Sequence, residues 1–183
     1  MPPPDNQNIP EHDLIAGCLS GDARMQEALY RRFSGKMYAV CLRYATRSED
    51  ADDILQDGFV KVYRNLEKYR GDGSFEGWIR RIFVNTAIEH FRKQHSVRPV
   101  TEEQEAALTD GNWNAFDHLA AKDIHNLIRT LAPGYRQVFN LYAVEGYSHH
   151  EISEMLGISE GTSKSQLARA KAILQHKIRE THR

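Results

Sequence analysis

Residues 147–171 read YSHHEISEMLGISEGTSKSQLARAK, a pattern typical of two short helices joined by a tight glycine turn. Ser148 and Glu151 have the spacing of a capping box, which satisfies two backbone N–H groups at a helix start. Gly157 follows the last turn of that helix, where glycine closes the end in a left-handed conformation without strain. Ser159 is a candidate N-cap for the next helix. The segment therefore predicts a helix-turn-helix, which places its second helix in the major groove of DNA.

The second helix of this motif has two distinct faces. Leu167, Ala170 and Leu174 recur at helical spacing and are expected to face the core. A helical wheel also places Ser163 on the inward side. The opposite face carries small residues and one lysine: Gly161, Lys164, Ser165, Ala168 and Ala172. With Arg169 beside it, this face suits close approach to a DNA groove and its phosphates. An ordinary helical hairpin with a solvated basic face is the alternative.

The charge of the chain argues for a protein partner in addition to DNA. The 183 residues are 40% hydrophobic and 27% charged, enough for one fair-sized domain or two small ones. The formal net charge is −1, whereas a protein that grips DNA alone usually carries a positive excess. Acidic residues gather over residues 49–57, and basic residues gather over 80–98 and 164–183. Such segregation is typical of a protein that binds two different surfaces.

Targeting and cofactor signals are absent from the sequence. The start, MPPPDNQNIP, is polar and lacks the apolar run of a signal peptide, and no stretch has the length of a bilayer-spanning helix. Cys18 and Cys41 lack metal or disulfide spacing and lie in helical, apolar-periodic sequence. We therefore expect a cytoplasmic protein with reduced core cysteines, no cofactor and no bound metal.

Helical periodicity runs through the chain and strand signals are absent, which predicts an all-α fold. Composition changes over residues 96–114, which contain Pro99 and an Asp110-Gly111-Asn112 turn signal. We expect two small helical domains joined by a flexible linker, the C-terminal one containing the helix-turn-helix. The predicted parts are a disordered tail over 1–10, a first domain over 11–95, the linker over 96–114 and a second domain over 115–183.

The third predicted helix begins near Ser48, a candidate N-cap, and presents an acidic side. Its apolar positions are Ala51, Ile54, Leu55 and Val62, and its polar side carries Asp52, Asp53, Gln56, Lys61 and Arg64. A charged side of this kind is either solvated or a docking surface. Gly58 in mid-helix costs about 1 kcal/mol relative to alanine, and close packing or docking is a candidate reason for it that the sequence alone does not show.

The fourth predicted helix, from about Phe75 to Lys93, is apolar almost all round and should be buried or should bind a partner. Its Arg81, Asn85 and Arg92 share one face, with Glu89 alongside. Cations, an amide and aromatic rings on one helix can stack on unpaired bases and hold a nucleic-acid backbone. The equal alternative is a core helix whose arginines snorkel to water.

Three segments, in this order and spacing, resemble the extracytoplasmic-function (group IV) bacterial RNA polymerase sigma factors, and the resemblance covers about residues 10–180. Residues 50–59 are similar to the family's polymerase-clamp-binding helix, residues 75–87 to its −10 promoter element reader, and residues 157–165 to its −35 reader. The three segments together are a specific signature, although each alone is a moderate one.

The resemblance implies an alternative sigma factor that binds core RNA polymerase and directs promoter-specific initiation. It implies no enzymatic activity, and it adds an anti-sigma factor as a candidate partner beside the polymerase and promoter DNA. The implied polymerase-binding residues are Asp52, Asp53, Gln56 and Asp57. Those implied for the −10 element are Phe75, Trp78, Arg81, Asn85, Glu89 and Arg92. Those implied for the −35 element are Gly161, Thr162, Lys164, Ser165, Ala168 and Arg169.

Two other functions compete with this interpretation. A stand-alone helix-turn-helix regulator would bind its DNA site without polymerase, and the near-zero net charge argues against it. A metal-dependent hydrolase would use the histidines His90, His95, His149 and His150. No HExxH spacing exists among them, and a metal site needs convergent ligands with supporting second partners.

Overall fold

The computed structural model describes residues 9–95 and 126–181, and these residues form helices and turns with no strand among them. The chain divides into two compact units, Met1–His90 and Phe91–Arg183. The prediction of an all-α protein with two helical domains is therefore confirmed. The predicted linker over 96–114 lies outside the described residues. No helix in the described part of the chain combines the length and apolarity needed to cross a bilayer.

The described part of the first unit contains four helices. They are α1 (Glu11–Leu19), α2 (Ala23–Tyr44), α3 (Ser48–Asn65), followed by a short 3-10 turn (Leu66–Lys68), and α4 (Phe75–His95). The prediction that Ser48 is the N-cap of α3 is wrong by one residue, because Arg47 occupies that position. The Asp50 carboxylate accepts from the backbone N–H of Arg47 at 3.1 Å and from its guanidinium at 2.8 Å, which fixes the helix start one residue earlier.

The core of the first unit collects the periodic apolar positions of all four helices. Its most deeply buried members are Leu14, Leu29, Met37, Cys41, Ile54, Val62, Leu66, Phe75, Ile79 and Phe83. Cys18 and Cys41 are buried and unpaired, as predicted. Burial raises the pKa of Cys41 to about 12 and that of Cys18 to about 11, which leaves both thiols protonated and unreactive at neutral pH.

Gly58 is explained by close packing between α3 and α4. A Cβ atom at this position would lie 2.3 Å from Cε1 of Phe83, far inside van der Waals contact. The Phe83 ring is fully buried and meets the Phe59 ring edge-to-face at 5.2 Å between centroids. The glycine therefore lets an aromatic ring of α4 lie directly against the α3 backbone.

The second unit holds the helix-turn-helix. Its described part begins with a helical turn over 126–129 and continues with α5 (Pro133–Phe139), a π-helical turn (Asn140–Val144), α6 (His149–Leu156) and α7 (Glu160–Thr181). The buried apolar residues are Ile128, Leu131, Val138, Phe139, Leu141, Ile152, Leu167, Ala170, Leu174 and Ile178. Both α5 and α6 pack on α7, so this long helix forms the centre of the described part of the unit.

We expect Gly58→Ala to destabilise the protein by about 1–2 kcal/mol, because overpacking against Phe83 outweighs the roughly 1 kcal/mol that alanine contributes to helix propensity. Gly35→Ala is the matched control, since Gly35 lies within α2 with open space where its Cβ would be. The control should gain stability. Urea unfolding followed by circular dichroism measures both changes, and equal stability of the two variants would contradict the packing argument.

Candidate nucleic-acid interface

The helix-turn-helix forms through the local interactions that the sequence predicts. The Ser148 hydroxyl accepts from the backbone N–H of Glu151 at 3.3 Å, and the Glu151 carboxylate accepts from the N–H of Ser148 at 2.8 Å. Gly157 ends α6 in the left-handed region, with φ +69°. The Ser159 hydroxyl then accepts from the N–H of Thr162 at 3.0 Å and caps α7. The predicted capping box, glycine turn and second N-cap are all confirmed.

The first turns of α7 present an exposed surface of small residues and one cation. We call Gly161, Lys164, Ser165 and Ala168 the α7 outer face, and all four are exposed. Thr162 and Arg169 lie half-buried at its edges. Lys164 approaches Glu160 only to 3.8 Å, with both side chains well exposed, so this weak pair leaves the ammonium able to reach a phosphate. The predicted division of α7 into inward and outward faces agrees with the observed burial, except that Ala172, predicted to face outward, is half-buried.

Ser163 is fully buried, as its inward position predicts, and its hydroxyl has a partner. Nδ1 of His149 lies 2.9 Å from the Ser163 Oγ. The His149 ring stacks on the ring of Tyr142 at 4.6 Å, and the Lys171 ammonium lies 5.8 Å from the Tyr142 centroid. Burial and the charge of Lys164 lower the pKa of His149. Sequence analysis missed this cluster, although an inward serine in an apolar row was a signal that a polar partner was needed.

The polar side of α3 is exposed. We call Asp52, Asp53, Gln56 and Asp57 the α3 outer face. The Asp57 carboxylate lies 2.8 Å from Nε2 of His90 on α4, and the other three side chains are exposed, although Asp52 also accepts a hydrogen bond from Tyr38. Val60, 46% exposed, extends this surface by one helical turn and was not predicted. The surface therefore combines negative charge with an apolar end.

On α4, the polar residues predicted to share a face are all exposed. We call Arg81, Asn85, Glu89 and Arg92 the α4 outer face. Their spacings of four, four and three residues place them in one row along the helix. The Glu89 carboxylate is 2.7 Å from the ammonium of Lys61 on α3, a second link between these two helices that sequence analysis did not find.

The prediction that Phe75 contacts DNA needs correction, because its side chain is fully buried. Its ring meets Phe33 edge-to-face at 5.6 Å and stacks on the half-buried Trp78 at 5.8 Å with an interplanar angle of 12°. Large apolar rings contribute most when they are removed from water, and this position at the start of α4 faces the core. Phe75 supports Trp78 from beneath and does not itself lie at the surface.

The turn before α4 is held against the same aromatic rings. Tyr69 lies 5.5 Å from Trp78 between ring centroids, and its hydroxyl donates to the carbonyl of Gly73 at 2.8 Å. Gly71 and Gly73 both adopt positive φ, a conformation that favours glycine. The Ser74 hydroxyl accepts from the backbone of α4 and caps its first turn. The turn over 69–74 thus lies beside an aromatic surface that ends at Trp78.

The histidine side chains that the structure describes form no metal site. Among residues 9–95 and 126–181, no group of three or more histidine, cysteine, aspartate or glutamate side chains could hold a metal ion. His90 pairs with Asp57, His149 with Ser163, and His150 lies 3.1 Å from Glu160. The side chain of His95 lies outside the described residues. Nothing in this part of the chain supports the metal-dependent hydrolase.

Comparisons with known proteins agree with this geometry. The Sigma-70 region 2 family matches residues 29–97, and the Sigma-70, region 4 family matches residues 121–174. A Haemophilus influenzae protein, the ECF RNA polymerase sigma-E factor, is 27% identical over 94% of this chain and 97% of its own length. The Mycobacterium tuberculosis ECF RNA polymerase sigma factor SigM is 30% identical over 88% of this chain and 81% of its own.

A solved structure supports the fold. The sigma factor RpoE of Bartonella quintana, crystallised with the anti-sigma factor NepR, superposes with a TM-score of 0.50 at 18% identity, over 86% of this chain and 98% of that one. The stand-alone regulator is not favoured by these relatives. With both sigma-70 regions in order and relatives matched along nearly their whole length, the chain belongs to the extracytoplasmic-function sigma factors, alternative sigma factors that direct transcription initiation by RNA polymerase.

Proposed function

We propose that this sigma factor docks on core RNA polymerase through the α3 outer face, reads the −10 element with the α4 outer face and reads the −35 element with the α7 outer face. The observation that carries the proposal is the capped helix-turn-helix, whose inward residues leave Gly161, Lys164, Ser165 and Ala168 exposed together. The matching domain assignment is a tail over 1–10, a region 2-like domain over 11–95, a linker over 96–114 and a region 4-like domain over 115–183.

The proposed −35 contact depends on two features of α7: side chains short enough for the helix to approach the DNA closely, and cations that contact the DNA. Gly161, Ser165 and Ala168 have short side chains, so the α7 backbone can lie deep in the major groove. The N-terminal end of α7, with Thr162 in its first turn, carries the positive end of the helix dipole and favours a phosphate. Lys164 and Arg169 add the cations that hold the helix on the DNA backbone or contact base edges.

The −10 contact rests on stacking and on polar readout. Trp78 is half-buried and stacks on a buried aromatic ring of the protein. Its remaining exposed surface is therefore held rigidly for stacking on an unpaired nucleotide base. Arg81 and Arg92 are exposed cations suited to the strand backbone. Between them, Asn85 and Glu89 offer the amide and carboxylate groups that distinguish bases.

The division of labour explains the weak overall charge. A net charge of −1 does not favour independent DNA binding, but an acidic α3 outer face can dock on a positive polymerase surface. Once docked, the linked DNA-reading modules act at high effective concentration, so neither must bind DNA strongly alone. We infer that the polymerase supplies the chemistry, that this chain has no catalytic activity, and that it works in the cytoplasm. The relative crystallised with an anti-sigma factor makes such a protein a further proposed partner.

Run-off transcription from genomic fragments, with core polymerase and the purified protein, tests the proposal as a whole. We expect start sites that core polymerase alone does not use, preceded by shared −10 and −35 sequences. Absence of new start sites would contradict it. Tight, sequence-specific DNA binding by the protein without polymerase would instead support the stand-alone regulator.

Reversing the charges of Asp52 and Asp53 to lysine should weaken binding to core polymerase about tenfold or more at low salt, because docking loses its electrostatic complementarity. Titration of core polymerase with labelled protein at two salt concentrations measures the effect, which should shrink at high salt. The matched control reverses Glu11 and Asp13, two exposed acids on α1, by the same total charge. Equal loss in both variants would show that only net charge matters.

Replacing Lys164 by alanine should reduce transcription roughly fivefold to tenfold on promoters with a −35 element, because a phosphate or base-edge contact is lost. The control is Arg179→Ala, which removes an exposed cation from the last turn of the same helix. Run-off transcription at several salt concentrations compares the two. An unchanged output for the Lys164 variant would remove this residue from the proposed −35 contact.

A further inference from the structure

Two polar side-chain pairs join α3 and α4, and α3 supplies the cation of one pair and the carboxylate of the other. Lys61 on α3 donates to the Glu89 carboxylate on α4 at 2.7 Å. One turn earlier on α3, the Asp57 carboxylate lies 2.8 Å from Nε2 of His90. The acid of one link belongs to the proposed −10 reader and the acid of the other to the proposed polymerase-docking surface. The acid of each surface therefore has its partner on the helix that carries the other surface.

Glu89 is poorly suited to base recognition without a partner. Its side chain is 54% exposed, and a long, mobile side chain loses rotamer freedom when it is fixed on a base. Its negative charge is also repelled by the phosphates that surround any base it could reach. A useful reader at this position needs both a fixed rotamer and a nearby positive charge.

Lys61 supplies both requirements from outside the reading surface. We propose that Lys61 is a positioning residue for promoter recognition: its ammonium holds the Glu89 carboxylate in one orientation on the α4 outer face and offsets its charge, so that this carboxylate can accept a hydrogen bond from a base of the −10 element. The proposal rests on the proposed function, in which the α4 outer face reads that element. The base so recognised carries an exocyclic amino group, which adenine, cytosine and guanine have and thymine lacks, since a carboxylate only accepts hydrogen bonds.

The ion pair between Lys61 and Glu89 contributes little to the stability of the fold, so its role is not a structural one. The Lys61 and Glu89 side chains are 33% and 54% exposed, and ion pairs at such positions are weak. The distance between α3 and α4 is set instead by the contact of Gly58 with the Phe83 ring. Loss of Lys61 should therefore leave the fold intact and alter the accuracy of recognition.

The test uses holoenzyme assembled from core polymerase and the full chain, on a promoter mapped by run-off transcription and on all single-base variants of its −10 element. Output on each variant is divided by output on the parent promoter for the same protein preparation, so a reduced active fraction cancels. The proteins compared are wild type, Glu89→Gln, Lys61→Met, Lys61→Arg and His90→Ala. The last breaks the neighbouring link and serves as the matched control.

We expect Glu89→Gln to reduce discrimination roughly tenfold at one −10 position that carries adenine, cytosine or guanine. Lys61→Met should reduce discrimination at the same position, Lys61→Arg should restore most of it, and His90→Ala should leave the preference of wild type. Wild-type discrimination by Lys61→Met beside an altered Glu89→Gln would overturn the positioning role and leave the −10 assignment standing. Wild-type discrimination by Glu89→Gln at every position would overturn the assignment of Glu89 and, with it, the proposal.

Discussion

The contact between Gly58 and the Phe83 ring is the constraint on which the first unit depends. Because no side chain stands between them, the α4 ring lies directly against the α3 backbone. That short separation lets two polar links, from Lys61 and Asp57, reach across to α4. Helix propensity is given up at one position, and in exchange the helices that carry the α3 outer face and the α4 outer face are held in a fixed relation.

The second unit depends on a different kind of local constraint. The left-handed Gly157 ends α6 and lets α7 start within three residues, while the Ser148 and Ser159 caps fix both starts. Ser163 occupies a core position where an apolar residue would be expected. Its buried hydroxyl is tolerated there because His149 provides a hydrogen-bond partner at 2.9 Å. The motif is therefore tied together by polar contacts as well as by apolar packing.

Local signals made much of this structure predictable, and long-range pairings were the part that they missed. Helical periodicity, the caps and Gly157 predicted the helices, the turn and the exposed face of α7, since each signal acts within a few residues. The burial of Phe75 and the link from Lys61 to Glu89, 28 residues away, depend on how α4 packs on its neighbours. Aromatic composition alone cannot say whether a ring at a helix start faces water or the core.

The arrangement of charge favours promoter recognition by the protein bound to polymerase over promoter recognition by the free protein. Each proposed reader carries few cations, and Glu89, a member of the α4 outer face, is itself an acid paired with Lys61. A chain of this kind gains little from nonspecific attraction to DNA, because counterion release scales with the number of phosphates neutralised. Its discrimination then comes from positioned hydrogen-bonding groups, and its affinity from attachment to the polymerase. Weak intrinsic DNA binding, which the proposed function requires, would then keep the unattached protein from occupying promoters that it cannot open.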